Sequence, residues 1–192
     1  MTRIAIVDPQ PASRAGLTML LRAEPGFVPV GSAAEAQGGA DLVLRCRPDV
    51  VLVELHLPDG DGLSLTRRLR AHDPAPQVII YTAEPEPVLG LLARVAGAAG
   101  VVDKAAEPAA LFEALRVVAR GGEALPPLPP SELDAAAHRV EPDDLALLAM
   151  LVDRTPPAEV ADALRLDRRR LSRRTERLLG RLRARQATTL AA

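Results

Sequence analysis

Four polar residues stand where short apolar runs of the chain end, and their types are those of a ligand site. They are Asp8, Glu54, Thr82 and Lys104. If the runs are parallel strands, their ends meet at one edge of a sheet, the edge where such sheets bind ligands. Taken singly, each residue also has a structural interpretation, as a helix cap, a buried acid, a strand-end hydroxyl or a solvated charge. Together they place two carboxylates, a hydroxyl and an ammonium on one rim.

Lys104 is the sharpest of these signals because it is the only lysine among 24 basic residues. A chain that otherwise uses arginine keeps one ammonium at this position. An ammonium is a compact point charge that suits a phosphate or carboxylate oxygen where a planar guanidinium does not fit. An ion pair between Glu54 and Lys104 with only a structural role is the alternative interpretation.

A second group of charges lies further along the sequence. Residues 165–185 contain ten arginines and two acids, a net charge of +8 within a chain of net charge −1. Residues 1–164 therefore carry −9. A basic block on an acidic body predicts a polyanionic partner for that end of the chain. On charge alone, a solvated arginine-rich helix explains the block equally well.

The elements that must position the rim residues alternate between strand and helix. Strands are predicted at residues 3–7, 27–30, 50–55, 78–82 and 101–102, and a helix-like stretch follows each of them. Gly121 and Gly122 end the last helix. This alternation predicts a five-stranded parallel sheet covered by helices on both faces.

Beyond this region the composition changes twice. Residues 123–140 contain four prolines in close succession and are predicted to form a linker, with a helix from Ser131. Residues 142–182 carry no strand signal, and three short helical stripes there predict a helix-turn-helix unit. The first stripe consists of Leu145, Leu148, Leu151 and Val152. Asp167 is the predicted N-cap of the third, arginine-rich helix.

Composition excludes several classes of protein. Aromatic residues make up 2% of the chain, which disfavours carbohydrate clefts and stacking surfaces for single-stranded nucleic acid. Cys46 is the single cysteine, so an internal disulfide is excluded, and three scattered histidines leave little for a zinc site. No apolar run approaches the roughly 20 residues of a membrane span. With no signal peptide in the sequence, we expect a cytoplasmic protein without a membrane partner.

Residues 1–122 resemble the receiver domain of bacterial two-component response regulators. The matching residues are Val7, Asp8, Pro11, Arg14, Gly16, Leu17, the segment 48–55, Leu57, Pro58, Asp61, Gly62, Thr82, Gly100 and Lys104. The resemblance implies a flavodoxin-like α/β fold. It also implies phosphorylation chemistry, in which a carboxylate nucleophile works with a magnesium ion held by acids and with a Thr and a Lys at the phosphoryl oxygens.

The chain departs from the receiver pattern at three positions. Glu54 stands at the phosphoacceptor position, where the family has Asp, and Pro9 replaces a second acid that helps to hold magnesium. Val101 stands where the last strand usually carries a Tyr or Phe switch residue. The extra methylene of Glu54 displaces its carboxylate by roughly an ångström, a shift that can cost about a hundredfold in a positioned reaction. We therefore expect no metal site, no cofactor and no phosphorylation in the way of the family.

Residues 141–182 resemble the LuxR-like helix-turn-helix of the NarL/FixJ class of response regulators. The matching residues are Pro142, Leu148, Leu151, Glu159, Val160, Ala161, Leu164, Leu166, Leu171, Arg177, Leu179 and Leu182. The chain departs from this pattern at Arg154, where the family often has Gly, at Pro156 and Pro157, and at Arg170, where Thr is usual.

The resemblance makes the third helix the predicted DNA-reading element. The candidate DNA-binding residues are Arg168, Arg169, Arg170, Ser172, Arg173, Arg177, Arg181 and Arg183. Arg169 and Arg173 are candidates for base contact, because arginine matches the edge of guanine with two hydrogen bonds. Arg181, Arg183 and Arg185 are more suited to phosphate contact.

The sequence thus predicts a DNA-binding transcription regulator with a receiver-like domain (1–122), a linker (123–140) and a helix-turn-helix domain (141–192). No nucleophile–base pair indicates an enzyme. The expected partners are duplex DNA and a second copy of the chain, with a histidine kinase or another regulatory protein as a further candidate. Two alternatives stay open: a protein-interaction module that sequesters a kinase or regulator, and a phospho-switch that uses another acid, such as Asp59 or Asp61.

Overall fold

The computed structural model describes residues 1–83 and 88–184. Among these residues the chain forms two compact units. The first contains residues 1–83 and 98–126, and the second contains residues 88–97 and 127–184. The domain bounds predicted at residues 122 and 140 stay predictions.

The first unit is built on a five-stranded parallel sheet. The strands, in chain order, are β1 (Thr2–Val7), β2 (Phe27–Ala33), β3 (Val50–Val53), the two-residue strands β4 (His56–Leu57) and β5 (Gly60–Asp61), β6 (Gln77–Thr82) and β7 (Gly100–Asp103). The sheet has the order β2-β1-β3-β6-β7, and every neighbouring pair is parallel. This is the flavodoxin-like order, so the predicted fold class is confirmed.

Helices connect the strands and make up the second unit. In chain order they are α1 (Pro11–Ala23), α2 (Ala36–Cys46), α3 (Gly62–Arg70), α4 (Leu89–Ala96), α5 (Pro108–Ala119), α6 (Pro130–Ala137), a 3₁₀ turn (Pro142–Asp144), α7 (Leu145–Val152), α8 (Pro157–Ala163) and α9 (Arg168–Ala184). The end of α5 is as predicted, because Gly121 follows it with a left-handed φ of +83°. None of the described helices is long and apolar enough to cross a membrane.

The apolar strand runs exist because the sheet is buried on both faces. On one face Ile4, Ile6 and Leu52 join a core with residues of α1 and α5. On the other face Val7 lies against Gly39 of α2, where an added Cβ would come within 2.7 Å of a valine methyl. Strands covered on both sides read as continuous Val and Ile runs rather than alternating patterns.

The third strand ends earlier than predicted, at Val53 instead of Leu55. The carbonyl of Leu55 accepts a hydrogen bond from the N–H of Gly62 at 2.8 Å, which closes a turn instead of extending the ladder. The turn is tight, because an ideal Cβ at Gly62 would lie 2.3 Å from the carbonyl oxygen of Glu54. Glu54 therefore sits just beyond the strand and not within it.

The first helical stripe of the second unit also differs in detail from the prediction. Leu147 and Leu148 are buried in α7, whereas Leu145 is 42% exposed. The buried Asp144, which is paired with Arg174, takes the inward position directly before α7, and Leu145, the next residue, lies roughly 100° further round the helix. Arg154, at the position where the resembled family often has Gly, has a left-handed φ of +54°. Glycine suits this conformation better than any other residue, because it has no Cβ.

Candidate functional site

The carboxylate of Asp8 lies at the end of β1 and is almost completely buried, with 2% exposure. The Ser13 hydroxyl of α1 donates to its Oδ2 at 2.6 Å, and the backbone N–H of Gln10 donates to its Oδ1 at 2.8 Å. The Lys104 ammonium lies 2.5 Å from the same Oδ2. Both oxygens of this carboxylate are thus engaged.

Glu54 shares the same ammonium. Its Oε2 lies 2.5 Å from Lys104 Nζ, and its Oε1 accepts a hydrogen bond from the N–H of Leu55 at 2.6 Å. Only 8% of Glu54 is exposed. Lys104 therefore bridges two buried carboxylates, and the ion pair considered as an alternative from the sequence is present. We call Asp8, Glu54 and Lys104 the rim triad.

The remaining rim residue, Thr82, ends β6 and is buried. Its carbonyl accepts the backbone N–H of Lys104 at 2.9 Å, which places the lysine directly after β7. The Lys104 ammonium also lies 5.7 Å from the ring centroid of Tyr81, within range of a cation–π contact. Tyr81 was not among the predicted site residues, although it is the only tyrosine of the chain and directly precedes Thr82.

The pKa values of the triad follow from its burial and its pairing. Burial raises the pKa of Asp8, but hydrogen bonds from Lys104, Ser13 and Gln10 together outweigh burial and hold it below its usual value. Burial lowers the pKa of Lys104, but its bonds to Asp8 and Glu54 outweigh that effect, so the pKa is raised. Asp8 and Lys104 therefore stay charged, as partners of each other, over the whole physiological pH range.

Two further acids near the rim serve as helix caps. Asp59 accepts the backbone N–H groups of Ala36 at 2.6 Å and Gln37 at 2.9 Å, at the start of α2. These hydrogen bonds lower its pKa. Asp61 is the N-cap of α3 and accepts the N–H of Leu63 at 3.0 Å. Both carboxylates thus stabilise helix starts, which are intrinsically short of hydrogen-bond acceptors.

The oxygen atoms available at the rim bear on whether a cation can bind there. The described residues contain no group of three or more His, Cys, Asp or Glu side chains that could hold a metal ion. Pro9 contributes no carboxylate, and the ammonium of Lys104 already occupies the space between Asp8 and Glu54. Mg²⁺ is usually bound through one or two carboxylates in near-octahedral geometry, and here both carboxylates of the rim are already paired with the ammonium of Lys104.

In the second unit, α9 is anchored along one face. Its buried residues are Leu171, Thr175, Leu178, Leu179 and Leu182, so the predicted inward positions at 171, 178 and 182 are confirmed. Asp167 caps the helix as predicted, because its Oδ1 accepts the backbone N–H of Arg170 at 2.7 Å. The anchor and the cap fix which side chains α9 turns outward.

Five of the eight predicted DNA-binding residues fall into two rows on α9. Positions 169, 173 and 177 are four residues apart and form one row on the helix surface. Arg169, Arg173 and Arg177 are all exposed. We call them the open row. Arg168 and Ser172 are exposed beside it, whereas Arg183 is half-buried. Arg185 lies outside the described residues.

The second row meets acids. Arg170 lies 3.6 Å from Asp167, and Arg181 lies 3.2 Å from Glu141 and 3.6 Å from Asp144. Arg174 donates to the carboxylate of Asp144 and to the carbonyl of Asp143. We call Arg170, Arg174 and Arg181 the paired row.

Sequence reasoning missed both Arg174 and Asp144. A signal for Arg174 existed, since it stands three residues after Leu171 and four before Leu178, beside the buried stripe. An arginine in that place needs a nearby acid. Its partner could not be read from the sequence, because Asp144 lies 30 residues earlier in the chain.

Comparison with known proteins places these features in a family. Residues 4–116 match the response regulator receiver domain. The DNA-binding transcriptional activator DevR/DosR of Mycobacterium tuberculosis is 30% identical over 192 residues, covering 95% of this chain and 88% of that protein. A protein-glutamate methylesterase/protein-glutamine glutaminase of Anaeromyxobacter dehalogenans is 34% identical over 116 residues, but the chain spans only 34% of that protein's length.

Solved structures show the same fold. A LuxR-family two-component response regulator from Aurantimonas is 34% identical, with a TM-score of 0.62, and the match covers 73% of this chain and 99% of that one. RcsB of Salmonella enterica, solved bound to the promoter rprA, is 20% identical with a TM-score of 0.62 over 96% of this chain and 99% of that chain. Another structure contains two RcsB dimers bound to two parallel DNAs. At these low identities RcsB supports the fold alone.

Proposed function

The chain belongs to the response regulator receiver family, and on this premise we propose that it regulates transcription by binding duplex DNA as a homodimer. One observation carries the proposal: α9 is held by buried leucines on one face and exposes Arg169, Arg173 and Arg177 on another. A helix that is anchored on one side and basic on the other is the element that helix-turn-helix proteins place in the major groove.

The relatives support this output. DevR/DosR, which matches nearly the whole chain, is a DNA-binding transcriptional activator by name. The match to the methylesterase involves about a third of that enzyme, and we propose that the chain is not itself an enzyme. We propose the homodimer as the state that binds; two dimers of RcsB, which shares the fold, are bound to DNA in its solved structure.

We further propose that the receiver is not phosphorylated in the usual way. Glu54 occupies the phosphoacceptor position, and its carboxylate is bound by Lys104 and the N–H of Leu55. We propose that the triad, with both carboxylates paired to Lys104, does not hold a magnesium ion. Phosphoryl transfer would then lack the cation that neutralises its developing charge. The input would then be a partner protein, a small ligand or dimerisation itself.

The engagement of Asp59 and Asp61 argues against a phospho-switch at another acid. Each carboxylate accepts backbone hydrogen bonds at the start of a helix. To attack a phosphodonor, either carboxylate would first have to give up these hydrogen bonds.

A salt titration tests the proposed output. The full chain should bind a duplex of mixed sequence at low salt, and log K should fall by about 0.9 per log unit of salt for each phosphate contacted. Absence of binding at low salt, with the helical circular-dichroism signal of the second unit intact, would favour the protein-interaction alternative.

Intact-mass spectrometry tests the proposed receiver state. Incubation with acetyl phosphate and Mg²⁺ should leave the mass unchanged, whereas a phosphoryl group adds about 80 Da. The change Glu54→Asp alone should restore little, because Pro9 still offers no carboxylate. The double variant Glu54→Asp/Pro9→Asp should restore more and serves as the positive control.

A further inference from the structure

Three acidic residues lie beside the paired row of α9. Glu141, Asp143 and Asp144 line one pocket of the second unit together with Leu166, Arg170, Arg173, Arg174, Arg177 and Arg181. The same pocket thus contains arginines of the paired row and of the open row. Nothing in the proposed DNA-binding role requires carboxylates at this place, and near a DNA phosphate they are repulsive.

Two ion pairs of this pocket, Asp144–Arg174 and Glu141–Arg181, differ in burial. Asp144 and Arg174 have side-chain exposures of 9% and 20%, so their pair is shielded from water and holds α9 to the 3₁₀ turn. Arg181 and Glu141 have side-chain exposures of 41% and 63%. Exposed ion pairs of this kind are weak and open readily. Arg181 can therefore exchange the carboxylate of Glu141 for a phosphate, while its longer contact of 3.6 Å to Asp144 stays in place.

We propose that Glu141 acts as an internal competitor for DNA phosphate. It holds the guanidinium of Arg181 and thereby lowers the affinity of α9 for DNA and makes that affinity less dependent on salt. The inference rests on the proposed DNA-binding function. Its physical content is that a carboxylate of the chain takes the place of a phosphate oxygen at Arg181, with the same charge and the same bidentate preference. When the carboxylate is neutralised, Arg181 gains a phosphate contact.

The decisive experiment is a double-mutant cycle in the full chain. Binding of a fluorescein-labelled duplex of mixed sequence is followed by anisotropy over a salt series for the native protein, Glu141→Gln, Arg181→Ala and the double variant. We expect Glu141→Gln to raise affinity about three- to tenfold at low salt and to steepen the log–log slope by about 0.9 per subunit. In the Arg181→Ala background the same change should have almost no effect.

Glu159→Gln is the matched control. Glu159 is an exposed acid in the first turn of α8, within the same unit, so the substitution removes the same charge. It should change the affinity by much less than Glu141→Gln. Circular dichroism of each variant checks that the helices are retained.

Each outcome separates this inference from the function on which it rests. If no variant binds duplex DNA, the proposed function itself fails. If the native protein binds but Glu141→Gln leaves affinity and slope unchanged, the competitor role is wrong. An equal gain with Arg181 present or absent, or an equal gain from Glu159→Gln, would show only a general effect of charge and would also overturn the proposal.

Discussion

The charged side chains of the rim triad are paired with one another, whereas those of the open row of α9 are exposed to solvent. At the rim, two buried carboxylates share one ammonium, which lies 2.5 Å from an oxygen of each. On α9, arginines at 169, 173 and 177 point to solvent from a helix that is anchored behind them. A site whose charges are paired internally must break these pairs before it binds a phosphoryl group or a metal ion. A site whose charges are exposed keeps its electrostatic attraction for an outside polyanion.

The largest expected effect on stability comes from removing the ammonium of the rim triad. Lys104→Met leaves two buried carboxylates without a counter-charge, and breaking a buried pair in this way costs about 3–5 kcal/mol of the free energy of unfolding. Urea unfolding followed by the fluorescence of Tyr81, the only tyrosine in a chain without tryptophan, reports on this unit.

The double variant Lys104→Met/Glu54→Gln is the control, because it removes one of the two stranded carboxylates. It should recover part of the lost stability. If Lys104→Met unfolds at the same urea concentration as the native protein, the triad is not the closed network described above.

Adjacent residues of α9 sharpen the comparison within a single helix. Arg173→Ala, in the open row, should leave stability unchanged and weaken binding to a specific DNA site by roughly 1–3 kcal/mol. Arg174→Ala, in the paired row, removes the charged hydrogen bond to Asp144 and should cost roughly 1.5–3 kcal/mol of stability. Thermal unfolding and DNA titration of both variants check the assignment. A reversal of the two effects would contradict it.

The pH dependence of the free energy of unfolding also tests the ion pairs of the rim triad. The pKa of Asp8 is lower in the folded protein than in the unfolded chain, so its contribution is present above the unfolded pKa of 3.8 and is lost as pH falls through the folded value. The pKa of Lys104 is raised, so its contribution is present below 10.5 and is lost as pH rises through the folded value. Denaturant midpoints measured from pH 2 to 11 should form a plateau between these limits.

The variant Asp8→Asn isolates the acidic limb of that profile. It should flatten the loss of stability below about pH 4 relative to the native protein. An acidic limb that is equally steep in both proteins would assign the effect to other carboxylates.

The smallest expected effect concerns the support of the open row. Asp167→Ala removes the cap of α9 and should cost about 1 kcal/mol, while Asp167→Asn keeps a capping oxygen and should cost less. The lowered pKa of Asp167, caused first by the hydrogen bond from the N–H of Arg170, predicts that the stability advantage of the native protein over both variants shrinks in acid. Thermal unfolding of the native protein and the two variants at neutral and acidic pH measures it.

The sequence predicts the scaffold better than it predicts the partners of individual side chains. The five strands are readable because burial on both faces leaves continuous apolar runs, as at residues 50–53. The hairpin of β4 and β5 has two residues per strand and leaves no periodic signal. Lys104 could be singled out because it is the only lysine. The hydrogen bond from Ser13 to Asp8 could not be predicted, because it depends on where α1 begins.

The same distinction applies to α9. Its leucine spacing identifies the buried face correctly, and its charge identifies the exposed arginines. The division into open and paired rows depends on acids in the 3₁₀ turn and before it, which sequence spacing does not connect to the helix. Contacts between side chains distant in sequence are set by packing, and local patterns carry no information about them.

The most direct test of the central contrast measures both sites in one sample. The full chain is incubated with acetyl phosphate and Mg²⁺, its mass is recorded, and its affinity for duplex DNA is measured by anisotropy before and after. If the rim triad is internally paired and the open row is exposed, we expect no gain in mass and the same DNA affinity before and after incubation. A stoichiometric gain of about 80 Da that is accompanied by a marked rise in DNA affinity would contradict the account.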